Sequence, residues 1–97
     1  MREVYFGDFR IYVIQHLKEL EKENYEPDSV EWFLLKYLRR VVRCTEAEEN
    51  AYGKVEGAIR ALVRFYIDNI DEKSELGEQC VSIYEQYRKT LREDHSG

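Results

Sequence analysis

Basic side chains grouped with a tryptophan are the residues of this chain best suited to bind another molecule. Trp32, Lys36, Arg39 and Arg43 recur at intervals of four, three and four residues, with Leu35 beside them. On a helix this spacing places side chains along one face, and no acidic residue occurs between residues 32 and 43. Because Trp and Arg dominate the binding energy of many protein interfaces, we predict that these five residues form a partner-binding surface.

A run of small residues further along the chain predicts close packing of a second backbone. Gly53, Gly57 and Ala61 recur every four residues. A glycine inside a helix costs about 1 kcal/mol relative to alanine, so a close contact is needed to offset that cost. We expect this contact from another helix of the same chain, or from a partner or ligand.

Two arginines follow the glycines along the same predicted helix and suggest an anion-binding site. Arg60 and Arg64 follow Gly57 at helical spacing, and Tyr52 is nearby in sequence. Guanidinium groups bind phosphates and carboxylates well, so these three residues are a candidate site for a nucleotide, an oligonucleotide or another anion. The arginines can instead form ion pairs along their own helix, Arg60 with Glu56 and Arg64 with Asp68.

The remaining reactive side chains do not form a recognisable catalytic or metal-binding motif. Carboxylate-bridged metal sites in helical bundles use Glu-x-x-His, but Val13 holds that position before His16, and His95 lies near the end of the chain. Cys80 falls in an apolar pattern and is expected to be a buried thiol, whereas Cys44 is expected at a boundary. We predict no catalytic residue, no metal and no cofactor.

Composition limits the class of partner. The formal net charge of −5 argues against general affinity for nucleic acid or anionic membranes, which require neutralising cations. Two cysteines and the lack of a leader pattern favour a cytoplasmic location. No apolar run approaches the roughly 20 residues needed to cross a bilayer.

The elements that must position these residues are helices. A single proline permits helix almost throughout the chain. The longest pattern runs from Thr45 to Asp71, where Thr45 and Glu48 have the spacing of a capping box. A second helix is expected after a cap at Asp28 or Ser29, with its core face at Val30, Phe33, Leu34, Tyr37, Leu38 and Val41.

The two ends of the chain complete the pattern. Ser74 is the expected cap of a last helix, whose apolar face comprises Leu76, Cys80, Ile83, Tyr84, Tyr87 and Leu91. Near the N-terminus an amphipathic helix is favoured, but β-prone runs on either side of Gly7-Asp8 leave a hairpin over residues 3–14 as the alternative. An isolated hairpin is only marginally stable, so we predict helix there.

Together these patterns predict an all-α fold, a compact antiparallel bundle of about four helices. Residues 1–97 form one domain, with 93–97 a frayed tail. We expect a non-enzymatic protein–protein interaction module: an adaptor, an inhibitor, or an antitoxin-like or phage accessory protein. Its partner would be another protein, itself as a homodimer, or both, and the alternative is a module that binds an anionic ligand.

Overall fold

The chain folds into four helices. The computed structural model describes residues 5–46 and 51–95, and its helices are α1 (Gly7–Glu21), α2 (Val30–Thr45), α3 (Ala51–Asn69) and α4 (Glu75–His95). No strand occurs in this part of the chain. The predicted all-α bundle is therefore confirmed, and so is helix rather than hairpin for the described part of the N-terminal segment.

The helices form an elongated ring, 42 × 24 × 20 Å in extent. Each helix packs against the next in sequence, and α4 closes the ring against α1. Phe6 and Phe9 at the start of α1 meet Tyr87 late in α4, and Tyr12 hydrogen-bonds to Ser82 one turn earlier in α4. Residues with higher numbers in α1 thus contact residues with lower numbers in α4, so the two helices run antiparallel.

Serine side chains begin two of the helices. Ser29 Oγ accepts a hydrogen bond from the Trp32 backbone N–H at 3.2 Å, and Ser74 Oγ accepts one from the Gly77 N–H at 3.0 Å. Each bond satisfies a backbone donor that the first helical turn leaves without a partner. Both caps match the sequence prediction, with Ser29 rather than Asp28 as the cap of α2.

Thr45 ends α2 instead of starting the next helix, so the predicted N-cap is wrong. Its hydroxyl donates to the Val42 carbonyl at 2.6 Å. A threonine hydroxyl can bond to a preceding carbonyl as well as to a following N–H, and the apolar pattern of α2 continues up to this residue. The capping-box partner Glu48 lies outside the described residues.

One apolar core fills the centre of the ring. All four helices contribute to it, and its largest fully buried side chains are Phe9, Val13, Leu34, Leu38, Val41, Val55, Ile59, Leu62 and Ile83. Phe33 and Tyr37 are only partly buried and pack against Phe65, with ring centroids 6.1 and 4.9 Å away. Leu35 is in the core instead, so the buried face of α2 is centred on a different line of residues from the one that the sequence predicted.

Cys80 is a core thiol, and this makes its reactivity predictable. Burial raises its pKa from about 9 to about 11, so the nucleophilic thiolate is scarce at neutral pH. We expect a disulfide reagent at pH 8 to modify a Cys44→Ser variant only after denaturant is added. Rapid labelling of Cys80 in the folded variant would contradict the buried position. The partly exposed Cys44 of a Cys80→Ser variant is the control.

The last helix is longer than predicted. α4 continues to His95, so the backbone of residues 93–95 is helical where a frayed tail was expected. Among the described residues, none of the helices combines the length and the apolar character that crossing a membrane requires.

Candidate functional site

Four of the predicted contact residues lie along one face of α2, as their spacing requires. We call Trp32, Lys36, Arg39 and Arg43 the cationic line. The Lys36 ammonium lies 3.6 Å from the centre of the Trp32 ring, and the Arg39 guanidinium pairs with Glu21 of α1 at 3.0 Å. Exposed contacts of these kinds contribute at most about 1 kcal/mol each, so a partner can rearrange them at small cost.

A surface groove runs beside the cationic line, between α1 and α2. The half-buried Val42 provides apolar contact surface, the core residue Leu17 forms the floor beneath it, and Lys36, Arg39 and Arg43 provide the charge. An apolar strip with basic side chains along it suits the apolar face of an acidic amphipathic segment. The sequence predicted the three basic residues of this groove, but not its apolar residues Leu17 and Val42.

Leu35 is not part of that surface, which corrects the prediction. Its side chain is 7% exposed and belongs to the core. Arg39, one turn further along α2, pairs with Glu21 of α1, so this side of α2 faces α1, which the sequence of α2 alone does not reveal. Trp32 is also less exposed than expected, since it is partly buried with its ring edge-on to Phe33 at 5.0 Å.

The glycines of the predicted ridge make no close contact with another helix in the part of the chain that the structure describes. Gly53 and Gly57 are exposed, and a Cβ atom built on either would meet no atom within 4 Å. Ala61 is partly buried. The expected packing of another helix of this chain on the glycines is therefore wrong, and their helix-propensity cost of about 1 kcal/mol each is not offset by neighbouring helices.

Arg60 and Arg64 lie at a second groove, of about 400 Å³, between α3 and α4. Its walls are mostly apolar, with Ile59, Val63 and Ile67 on α3 and Tyr84 and Tyr87 on α4. We call this the α3–α4 groove. The Arg60 guanidinium pairs with Glu56 at 3.1 Å, as one interpretation of the sequence expected. Tyr52 is not among the lining residues and packs against the core, so the predicted trio is not brought together.

Three exposed apolar side chains next to this groove were missed from the sequence. Ile67 is 70% exposed, and Val81 and Tyr84 are also exposed on α4. Tyr84 was assigned to the core because it shares the apolar face of α4, and a broad face does not reveal which edge stays uncovered. The exposure of Ile67 could have been predicted from the sequence, because this large apolar residue lies outside the apolar face of its helix and is therefore not expected in the core.

His16 is the histidine whose surroundings the structure describes. The His16 ring packs against Tyr12, with centroids 4.9 Å apart. Within the described ranges, no three His, Cys, Asp or Glu side chains are grouped as a metal site would require. The chemistry that this part of the chain brings together is that of cations, aromatic rings and apolar grooves.

Comparison with known proteins finds no matching family model, curated protein or solved structure.

Proposed function

We propose that this chain is a small cytoplasmic protein-interaction module, an adaptor or inhibitor that works by binding and not by catalysis. Its partner is a protein with an acidic amphipathic segment, which docks on the cationic line of α2. The observation that carries the proposal is the groove between α1 and α2, where Leu17 and Val42 lie beside Lys36, Arg39 and Arg43. We also propose that the module associates with itself, as a homodimer.

Charge complementarity supports an acidic partner. The whole chain carries a net charge of −5, yet no acidic residue occurs between residues 32 and 43, and Arg39 of the cationic line pairs with Glu21 across the groove. Like-charged partners are repelled by such a patch and acidic ones are attracted. Trp32 at its end offers the large, rigid contact area typical of binding hot spots.

The alternative, an anionic small ligand held by Arg60, Arg64 and Tyr52, stays a prediction with less support. Glu56 stands beside Arg60 and would repel an anion, and Tyr52 packs against the core and does not line the groove that holds both arginines. The largely apolar walls of the α3–α4 groove suit a helix better than a phosphate.

Binding of a designed acidic helix tests the proposal. The probe is a synthetic amphipathic peptide with leucines on one face and glutamates on the other, and its lysine counterpart is the negative control. Because Trp32 is the single tryptophan of the chain, its fluorescence reports binding at the site directly. We expect the acidic peptide to change Trp32 emission at low salt, and the effect to weaken as salt screens the charges.

Reversing two charges of the cationic line is expected to weaken that binding at least tenfold. Arg39→Glu combined with Arg43→Glu places like charges opposite the peptide, which costs several kcal/mol at an interface. The matched control reverses Lys73 and Arg92, exposed residues outside the groove, and so gives the same net charge. Equal affinity of the two double variants, or equal binding of the lysine peptide, would contradict the proposal.

A further inference from the structure

A line of exposed residues on α3 has the spacing of a helix–helix seam, and at its two glycines no atom of the described residues approaches within 4 Å of a built Cβ. We call Gly53, Gly57, Arg60, Arg64 and Ile67 the α3 seam. They recur at intervals of four, three, four and three residues, and all five are exposed. This 3.5-residue period keeps one line of a helix turned toward a second helix over its whole length.

The α3 seam borders the apolar wall of the α3–α4 groove. Arg60, Arg64 and Ile67 belong to both the seam and the groove, and Val63 and Tyr84 also line the groove. Val81 extends the exposed apolar surface along α4. Contiguous exposed apolar surface of this kind marks protein-binding sites, and its continuity with the seam indicates that one helix could cover both.

We infer that the α3 seam pairs with the α3 seam of a second copy, the two helices crossing antiparallel about Arg60. This inference rests on the self-association proposed above and is independent of the acidic partner on α2. In such a pair, residues equally distant from Arg60 in the two copies face one another. Ile67 of each copy then lies against Gly53 of the other, and Arg64 lies opposite Glu56 of the other.

The charges of α3 are arranged to suit this antiparallel pairing. Glu56 and Arg64 have opposite signs, and the two-fold axis repeats their contact on both sides of the interface, as an isologous dimer requires. The two Arg60 side chains come near the axis, but each has its own Glu56 at 3.1 Å, so neither guanidinium group is uncompensated. A parallel pair would instead oppose Arg64 with Arg64.

The shapes of the facing residues agree with the same register. Nothing within 4 Å would contact a Cβ atom at Gly53 or Gly57, so a second helix can approach closely there. The projecting Ile67, with 70% of its surface exposed, is the side chain that the register places on Gly53. The close approach of the second copy would thus explain the two glycines, which no contact within the described part of the chain explains.

Complementary charge reversals test the interface. The masses of the wild-type chain, an Arg64→Glu variant and a Glu56→Arg variant are measured by sedimentation over a concentration series. We expect the wild-type chain to be a dimer. Each variant alone should associate at least tenfold more weakly, because its dimer would contain two pairs of like charges at the interface. In an equimolar mixture both pairs have opposite signs, so the dimer mass should return at concentrations where each variant alone is monomeric. The mixed dimer should stay weaker than wild type, because Arg60 of the Glu56→Arg copy has lost its partner. A variant that had unfolded could not be rescued in this way.

Each other outcome overturns a defined part of the inference. A monomeric wild-type chain at every concentration would overturn the self-association itself. A wild-type dimer that neither reversal weakens would keep self-association and overturn the α3 seam as its interface. Failure of the mixture to regain the dimer mass would overturn the facing of Glu56 and Arg64.

A second pair of variants tests the apolar part of the interface. An Ile67→Asp variant, expected to be monomeric, is compared with Ile11→Asp, which alters an exposed isoleucine of α1 and should stay dimeric.

Discussion

Replacing Phe9 with alanine is expected to lower the free energy of unfolding by about 3 to 5 kcal/mol, the usual cost of removing a buried aromatic ring. The Phe9 side chain is 0% exposed. Its ring centroid lies 5.7 Å from that of Tyr87 on α4 and 6.1 Å from that of Phe6. Since a domain of this size is stabilised by only about 5 to 15 kcal/mol, such a loss leaves it close to unfolding.

The loss should be concentrated in α4. This helix packs on α1 through Phe6, Phe9 and Tyr87, and its contacts with α1 and α3 are sparser than those that join α2 to its neighbours. Removal of the Phe9 ring therefore weakens the main attachment of α4 to α1. Hydrogen exchange should show the largest loss of protection in α4, beyond the general loss caused by lower global stability.

A matched change on the same helix separates packing from helix propensity. Ile11→Ala removes an apolar side chain that is 57% exposed, and we expect it to change the stability by no more than about 0.5 kcal/mol. Urea denaturation gives the stabilities of both variants. Similar losses at Phe9 and Ile11, or unchanged exchange in α4, would contradict the packing described for this interface.

Local patterns predicted the helices because helix formation depends on residues three or four positions apart. Ser29 and Ser74 were recognisable as caps, since a cap needs only its own side chain and the next backbone donors. Thr45 was misjudged for the same local reason: a threonine before acidic residues fits a helix start, and its alternative bond to the Val42 carbonyl depends on α2 having continued that far.

Features that depend on how the helices meet could not be predicted from single patterns. The sequence placed Leu35 beside the basic residues of α2, and only the packing of the other helices against α2 shows that it is buried. Similarly, the grouping of Arg60 and Arg64 was predictable from their spacing, but their apolar neighbours Tyr84 and Tyr87 come from another helix. Spacing identifies the face of one helix, whereas a groove requires the register between two.

The glycines of α3 and α4 illustrate how much a neighbour changes the role of a residue. Gly53 and Gly57 are open to solvent, but a Cβ atom on Gly77 would collide with the carbonyl oxygen of Asp71 and crowd the backbone of Glu72. The sequence singled out the first two because of their regular spacing. Gly77, isolated in the first turn of α4, gave no such pattern.

Gly77→Ala is therefore expected to destabilise the protein by about 2 to 3 kcal/mol, although alanine is the better helix former by about 1 kcal/mol. The Asp71 carbonyl cannot easily move away. It accepts the Ser74 backbone N–H at 3.0 Å and the Ser74 hydroxyl at 2.6 Å. That hydroxyl oxygen in turn accepts the Gly77 N–H at 3.0 Å, so displacing the turn also breaks the cap of α4, worth about 1 kcal/mol.

Glu78→Ala provides the control for Gly77, because it introduces the same methyl side chain at the next, exposed position of α4. We expect its unfolding free energy to stay within about 0.5 kcal/mol of wild type. Chemical denaturation gives the free energy of unfolding of the two variants for comparison. If Gly77→Ala were as stable as Glu78→Ala, the turn at Asp71 could not lie over the first turn of α4. Helix propensity alone would then govern the position, as it does where no neighbour approaches.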